Sequence, residues 1–486
     1  MSLRPTEEQA EAIRLFGTGQ SMAVEALAGT GKTSTLVMLA ESTRRRGQYL
    51  AFNRALVDEA KTKFPPNVRV NTVHSLAFGA VGKRYAERLG ASRRVPGWEL
   101  ARRMGLGPLT VPDFEGQPRV LQPGYLAGLC SRAVSRFCQS DDPSIQPAHF
   151  PYVDGLDPVV NGHRGWDNNR RLATLLLPYA TMIWDDLQRP YGWATYRHEH
   201  YLKAWQLSGP VISADFVLFD ESQDTSPVMA AIVAAQRDVQ RVYVGDPHQE
   251  IYAWMGAIDA LSRVDVPVRT TLSQSFRFGD AVADVANGIL RLLDAPVLLR
   301  GNPAVASRVE SLAEPRAILT RTNAVGVTEL LRLEAEGRHP ALVGGGQDVV
   351  SFAQAAQMLM TTGSTAHPEL AAFSSWDAVR TYVEQDPEGE DLRLLVRLVD
   401  QFGPDTIVSA LTRAASEDRA DVVISTAHKA KGREWPTVRI AGDFPGSVAP
   451  SDLRLRYVAV TRAREVLDDE ALPDLSLRFD RSELTR

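Results

Sequence analysis

The sequence predicts an α/β chain of two parallel-sheet domains, each interrupted by an inserted segment, the first insertion largely helical. Three observations carry this. Short apolar runs of strand length alternate with helical stretches, the pattern of sheets joined by crossover helices. The strand signals fall into two clusters, separated by residues 272–285. The stretch Ala28-Gly29-Thr30-Gly31-Lys32-Thr33 follows an apolar run at 21–24 and opens a helical one at 34–40. A Gly-rich turn in that setting gathers backbone N–H groups at a helix N-terminus, a cradle for phosphate oxygens.

In chain order, residues 6–16 read as an amphipathic helix after Pro5. Residues 48–52 are strand-like, 53–64 are helical up to Pro65-Pro66, and 68–73 form another short strand. From 78 to 201 the pattern is mostly helical, broken by Pro/Gly-rich loops at 105–123, 141–151 and 159–165. Strand signals return at 216–219, 242–244, 317–320, 341–343, 422–425 and 437–441.

Composition narrows the class. Of 486 residues, 44% are apolar and 23% charged, ordinary for a globular protein. No run approaches the roughly 18 apolar residues of a membrane span, and no basic-then-apolar leader opens the chain. A cytoplasmic location is expected, nucleoid-associated in a prokaryote, with no membrane partner. Cys130 and Cys138 have neither metal-site nor disulfide-framework spacing. The net charge of −5 argues against nonspecific coating of duplex but allows a local basic groove. Only seven of the 54 basic residues are lysine, and Lys32, Lys429 and Lys431 fall inside motifs.

In the Gly-rich loop, Lys32 would reach the β- and γ-phosphates and Thr33 would hold Mg²⁺ through its hydroxyl. The full phosphate-loop pattern wants Gly where Ala26 stands. The run at 216–219 ends in Asp220-Glu221, placing carboxylates at the C-terminal edge of a strand, where α/β sheets bind ligands. Asp220 would hold Mg²⁺ through water, and Glu221 would polarise the attacking water. Lys32 and Asp220 are separated by far more chain than a minimal nucleotide-binding domain needs, so a sizeable insertion is expected between them. Gln249 follows another strand and could sense the γ-phosphate. Tyr252 and Trp254 read either as a stacking platform for unpaired bases, roughly 1–3 kcal/mol each, or as core. Arg277 and Arg462 are candidate arginine fingers. Thr426, His428 and the Lys429/Lys431 pair could line a nucleic-acid backbone, as could Thr72 and His74. The His198-Glu199-His200 cluster lacks a third ligand and is not read as a zinc site.

Taken together, the ordered set LRPTEEQ, AGTGKT, AFNRA, TVHSLAF, DESQD, GDPHQEIYAW, QSFRFG, STAHKAKGREW and YVAVTRAR resembles superfamily 1 helicases of the UvrD-like type. AFNRALVDEA, TVHSLAFGAVGKRY, YLKAWQL and GDPHQEIY look most like the F-box DNA helicase branch, here expected without an F-box. The resemblance covers about residues 3–467. It implies two RecA-like motor domains with ATP in the cleft between them: the first at 1–76 and 205–268 with its helical insertion at 77–204, the second at 269–360 and 418–486 with a reduced insertion at 361–417.

The resemblance also implies roles. Lys32, Asp220, Glu221, Gln249, Arg277 and Arg462 would carry ATP hydrolysis. Ala28, Gly29, Thr30, Gly31, Lys32, Thr33 and Ser34 would cradle the nucleotide and Glu434 would bind its ribose. Gln9 would recognise adenine, although Thr6-x-x-Gln9 also spells a capping box in which Gln9 serves its own helix. Phe52, Asn53, Thr72, His74, Tyr252, Trp254, Thr426 and His428 would contact single-stranded DNA. The implied activity is ATP- and Mg²⁺-dependent movement on single-stranded DNA, 3′→5′, at single-strand/duplex junctions, in repair, recombination or replication. A recombinase or single-strand-binding protein is an expected partner. Three alternatives stand beside it: a translocase that strips recombinase and unwinds weakly, a DNA-independent nucleotide switch, and an RNA-directed motor. Leu27, where Gly is common, and Met255, where Arg is usual, depart from the pattern. So does the short second insertion, which bears on unwinding more than on translocation.

Overall fold

The computed structural model describes residues 4–51, 53–90, 95–160, 163–252, 258–367, 369–371, 373–385 and 390–475. They divide into two compact units. The first comprises 1–25, 32–247 and 252–270, and the second 26–31, 248–251 and 271–486.

The first unit opens with the helix Glu7–Phe16. Thr6 caps it in a reciprocal capping box with Gln9, Glu7 and Glu8 occupy its first turn, and Ala12 and Phe16 lie on its buried face. Strands β1 (Met22–Ala26), β2 (Gly47–Ala51) and β3 (Val68–Thr72) follow, linked by helices Lys32–Glu41 and Arg54–Lys63. After β3 the chain leaves the sheet for a long, mostly helical excursion. Its principal helices are Val73–Ala80, Gly97–Met104, Pro123–Gln139, Asp167–Leu187 and His198–Leu207. Two short antiparallel pairs interrupt it, β4 (Leu109–Pro112) with β5 (Pro118–Leu121) and β6 (Val159–Val160) with β7 (His163–Arg164). Both fall where the sequence reads as loop, because strands this short carry no clear alternation.

The chain then returns through β8 (Phe216–Phe219), β9 (Gln240–Gly245) and β10 (Val268–Leu272), giving the sheet order β10–β1–β9–β8–β2–β3. The β1–β9, β9–β8, β8–β2 and β2–β3 pairs are parallel. Every residue of β2 and β8 is buried, as expected of central strands covered on both faces.

Within the helical excursion, Arg88 and Asp186 form a buried ion pair that organises the turn after Asp167–Leu187. Arg88 also donates to the carbonyls of Asp186, Arg189 and Ala194, and Asp186 accepts from the backbone of Trp193 and Ala194. Lys203 is wholly buried, donating to the carbonyls of Ser140 and Asp142 and to Gln206. Cys130 and Cys138 are buried thiols. In the His198-Glu199-His200 cluster, His198 meets the Tyr201 hydroxyl, Glu199 accepts from Ser135, and His200 accepts from the Arg197 N–H. His200 Nε2 also lies 3.9 Å from Glu199 Oε1.

The second unit holds β11 (Arg308–Val309), β12 (Ala317–Thr320), β13 (Pro340–Leu342), β14 (Val422–Thr426), β15 (Trp435–Ile440) and β16 (Ala463–Asp468). Their order is β11–β16–β15–β12–β14–β13, and every pair is parallel. The helices Gln347–Thr362, Trp376–Gln385, Glu390–Phe402 and Pro404–Arg413 stand between β13 and β14. They bury Phe352, Leu359, Trp376, Val396 and Ile407 in one core with Ile318 and Ile424 of the sheet. The α/β class with two parallel sheets is therefore the observed fold. Among the described residues no helix is long and apolar enough to cross a membrane.

Candidate functional site

In the first unit, Lys32 opens the helix Lys32–Glu41, and its Nζ lies 3.5 Å from Glu221 Oε1. Thr33 is half-buried beside it and Ser34 is exposed. Asp220 continues directly from β8, and its N–H donates to the Leu50 carbonyl on β2 at 3.1 Å. The β2–β8 register sets Tyr49 opposite Leu218, which brings the Tyr49 hydroxyl to Asp220 Oδ2 at 2.6 Å. Asp220 Oδ1 accepts from the Glu221 N–H at 2.9 Å. Burial first, then the Glu221 charge, raises the Asp220 carboxyl above the usual range, while Tyr49 and Lys32 pull it back down. Burial and the Asp220 charge keep the Tyr49 phenol protonated. Glu221 adopts a left-handed conformation, φ 50° and ψ 40°, uncommon for a side chain of its size.

Gln9 is 2% exposed and the capping box forms in full. Its Oε1 accepts from Thr6 N and its Nε2 donates to Thr35 Oγ1, so the amide first serves its own helix and that helix's neighbour.

The loop residues 26–31 belong to the second unit. Gly29 and Gly31 take positive φ, 73° and 77°. The Thr30 hydroxyl donates back to the Leu27 carbonyl, and Leu27 N–H donates to the Leu272 carbonyl. Leu27 itself is buried, so its extra bulk is directed into the core. The Ala28 N–H, expected to meet phosphate, donates to the Tyr457 hydroxyl at 3.1 Å. Phe276 N–H donates to the Gly29 carbonyl at 2.7 Å, fastening the loop to the segment that carries Arg277.

Arg277 and Glu434, assigned to phosphate and ribose, pair with each other at 2.7 Å, and Arg277 also donates to the Thr461 carbonyl. Arg462 is 1% exposed and donates to the Val458 carbonyl, Thr461 Oγ1 and, at 3.4 Å, Gln249 Oε1. The Gln249 carbonyl accepts from Lys431 Nζ. The second unit thus gathers Gln249, Arg277, Glu434 and Arg462, while Lys32, Asp220 and Glu221 gather in the first.

Among the DNA candidates, Phe52 and Trp254 lie outside the described residues, as does Met255. Asn53 caps Arg54–Lys63 by accepting from Leu56 N–H, and Thr72 caps Val73–Ala80 in a reciprocal pair with Ser75. Thr426 caps Ala427–Ala430. A capping hydroxyl accepts from its helix and still has a proton to donate outward. Burial lowers the pKa of both His74 and His428, with His198 and Arg321 respectively adding to the effect. Each is therefore a neutral hydrogen-bonding ring at pH 7. Tyr252 is half-buried; burial, with Asp224 and Glu221 nearby, pushes its phenol up to about 12.

Tyr49, Gln223 and Tyr457 are the polar partners that sequence reasoning missed. A tyrosine inside an otherwise apolar strand is the signal for the first, since a buried phenol normally finds a partner.

The buried Asp220 carboxylate, with the Thr33 hydroxyl at the start of the helix Lys32–Glu41, has the oxygen-donor chemistry that a divalent cation takes. Among the described residues no cluster of three or more His, Cys, Asp or Glu could hold a metal. Mg²⁺ is typically bound by one or two carboxylates together with substrate phosphates.

Comparison with known proteins agrees with this chemistry. Residues 9–255 match the AAA domain family, and residues 421–467 match the UvrD-like helicase C-terminal domain. The chain is 28% identical to F-box DNA helicase protein 1 of Schizosaccharomyces pombe, over 92% of this chain and 55% of that protein. It is 29% identical to F-box DNA helicase 1 of Gallus gallus, over 92% of this chain and 47% of that protein. The chain spans about half the length of these curated relatives. With its model matched across half of the sequence, the chain belongs to the AAA domain family, and it carries beyond that a segment similar to the UvrD-like helicase C-terminal domain.

Proposed function

We propose that the chain is an ATP-driven motor that moves on single-stranded DNA. The observation that carries this is the approach of Lys32 to Glu221, beside the buried Asp220 at the end of β8. These are the groups that phosphoryl transfer to water requires: a cation for phosphate, a carboxylate for a divalent ion and a carboxylate for the attacking water. Both similar proteins are named DNA helicases, which supports DNA as the track. On this reading the first motor domain spans 1–76 and 205–268 and the second 269–360 and 418–486, Gln9, Gln249, Arg277, Arg462, Glu434 and the DNA candidates take the roles given above, and travel is 3′→5′.

Lys32 leaves Glu221 to engage the γ-phosphate. Thr33 and Asp220 would hold Mg²⁺, which supplies charge neutralisation at the phosphates. Glu221 then orients water for in-line attack. Arg277 exchanges Glu434 for phosphate, which releases Glu434 towards the ribose hydroxyl.

The test is ATP turnover with and without single-stranded DNA, with Lys32→Ala as the inactive control, followed by strand separation on a 3′-tailed fork. DNA-stimulated turnover that Lys32→Ala abolishes is expected. Turnover indifferent to DNA would replace the motor with a nucleotide switch.

A further inference from the structure

We propose that Gln223 is the positioning residue for Glu221, fixing that carboxylate against the end of β9. This rests on reading Glu221 as the group that orients the attacking water.

Gln223 lies in the short turn Ser222–Asp224 and is fully buried. Its Nε2 donates to Glu221 Oε2 at 2.5 Å and to Asp224 Oδ2 at 3.1 Å. Its Oε1 accepts from the Asp246 N–H at 3.1 Å. The preceding Ser222 hydroxyl donates to the Val244 carbonyl at 3.0 Å. The turn is therefore fastened to β9 on both sides of Gly245. That glycine has a steric reason. A Cβ there would stand 2.1 Å from Gln223 Oε1 and 3.2 Å from Ser222 Oγ.

The two oxygens of Glu221 are thus held differently. Lys32 faces Oε1, and Gln223 holds Oε2. When Lys32 turns to the phosphate, the grip on Oε2 persists, because the Gln223 amide is anchored at its other end to β9. An amide suits the position, since it donates to Glu221 and accepts from Asp246 at once. The backbone alone would hold Glu221 poorly, because its left-handed conformation is one that L-residues populate sparsely. Misplacing a reacting group by about 1 Å can cost roughly 100-fold in rate.

The test uses the full chain with single-stranded DNA and compares Gln223→Met, Gln223→Asn, Gly245→Ala, Glu221→Gln and the double variant Gln223→Met/Glu221→Gln. Gln223→Met keeps the length and removes the hydrogen bonds. Gln223→Asn keeps the amide and shortens its reach. Gly245→Ala leaves Gln223 in place and pushes its amide away. Each of these three is expected to lower kcat by about 10- to 100-fold while KM for ATP changes less than about threefold, the signature of an interaction made in the transition state. In the Glu221→Gln background, Gln223→Met is expected to cost nothing further, a non-additivity that a merely structural loss would not produce. DNA binding by fluorescence anisotropy and thermal unfolding verify the fold of each variant. Wild-type kcat in folded Gln223→Met and Gln223→Asn overturns the proposal, as does a loss that adds to that of Glu221→Gln. Wild-type turnover by Glu221→Gln alone instead overturns the role of Glu221.

Discussion

Replacing Gly29 by alanine separates backbone strain from crowding at the phosphate loop. Gly29 has φ 73°, and a Cβ there would lie 2.6 Å from Ser275 Oγ and 2.8 Å from Arg277 Cβ. Gly337, in the same unit, has φ 77° with nothing within 4 Å of its Cβ position. Gly337→Ala therefore carries only the left-handed penalty, about 1 kcal/mol. Gly29→Ala carries that penalty plus overpacking against residues 275–277, about 2 kcal/mol more. At roughly 2–4 °C per kcal/mol for a unit of this size, Gly29→Ala should melt about 6 °C below Gly337→Ala. Displacing the loop should also weaken ATP binding at least about tenfold, equivalent to 1.4 kcal/mol. Differential scanning fluorimetry and a titration with a fluorescent ATP analogue measure the two effects. Equal melting shifts, or unchanged ATP affinity in Gly29→Ala, would refute the reasoning.

Tyr49→Phe removes the donor to the buried Asp220 carboxylate. It should cost about 2 kcal/mol in denaturant unfolding, the scale of a hydrogen bond to a charged group, and raise the Mg²⁺ concentration needed for half-maximal turnover. Arg88→Ala strands the buried Asp186, and a loss of about 3–5 kcal/mol is expected by circular dichroism in urea; a loss under 1 kcal/mol would show the pair to be dispensable. Burial lowers the Lys203 pKa from 10.5 to about 8, with Cys138, Asp142 and Asp141 opposing the shift. Between those values the unfolded chain holds a proton that the folded chain has released, so stability should rise with pH across the window, by about 3 kcal/mol. Lys203→Met should flatten that rise, and parallel stability–pH curves for the two proteins would count against it.

Much of the fold was legible because its central strands are continuous apolar runs bounded by chemistry-bearing turns. Phe216–Phe219 and Ala317–Thr320 are read from sequence with their observed limits. The edge strand β11 and the strand β16 were not. Arg308–Val309 is too short to show a period, and Ala463–Asp468 follows directly on an arginine-rich motif. The nearness of Lys32 to the Asp220-Glu221 pair was legible, because Lys32 opens a helix after a Gly-rich loop and the carboxylates follow directly on β8. Tyr49 and Gln223 were not, because their roles depend on register between strands distant in sequence. The pairing of Arg277 with Glu434 was equally hidden, since each had been assigned to a different part of the nucleotide.

The capping residues bear on how an acidic chain can hold a polyanion. Asn53, Thr72, Thr322 and Thr426 each end or follow a parallel strand and each accept from the first turn of the next helix. Helix N-termini present partial positive charge without a formal cation. A strand of DNA held by such amides and hydroxyls displaces few condensed ions, whereas each lysine or arginine contact releases one. On the proposed reading, the hold on DNA should accordingly fade only gently as salt rises, governed more by geometry than by ionic strength.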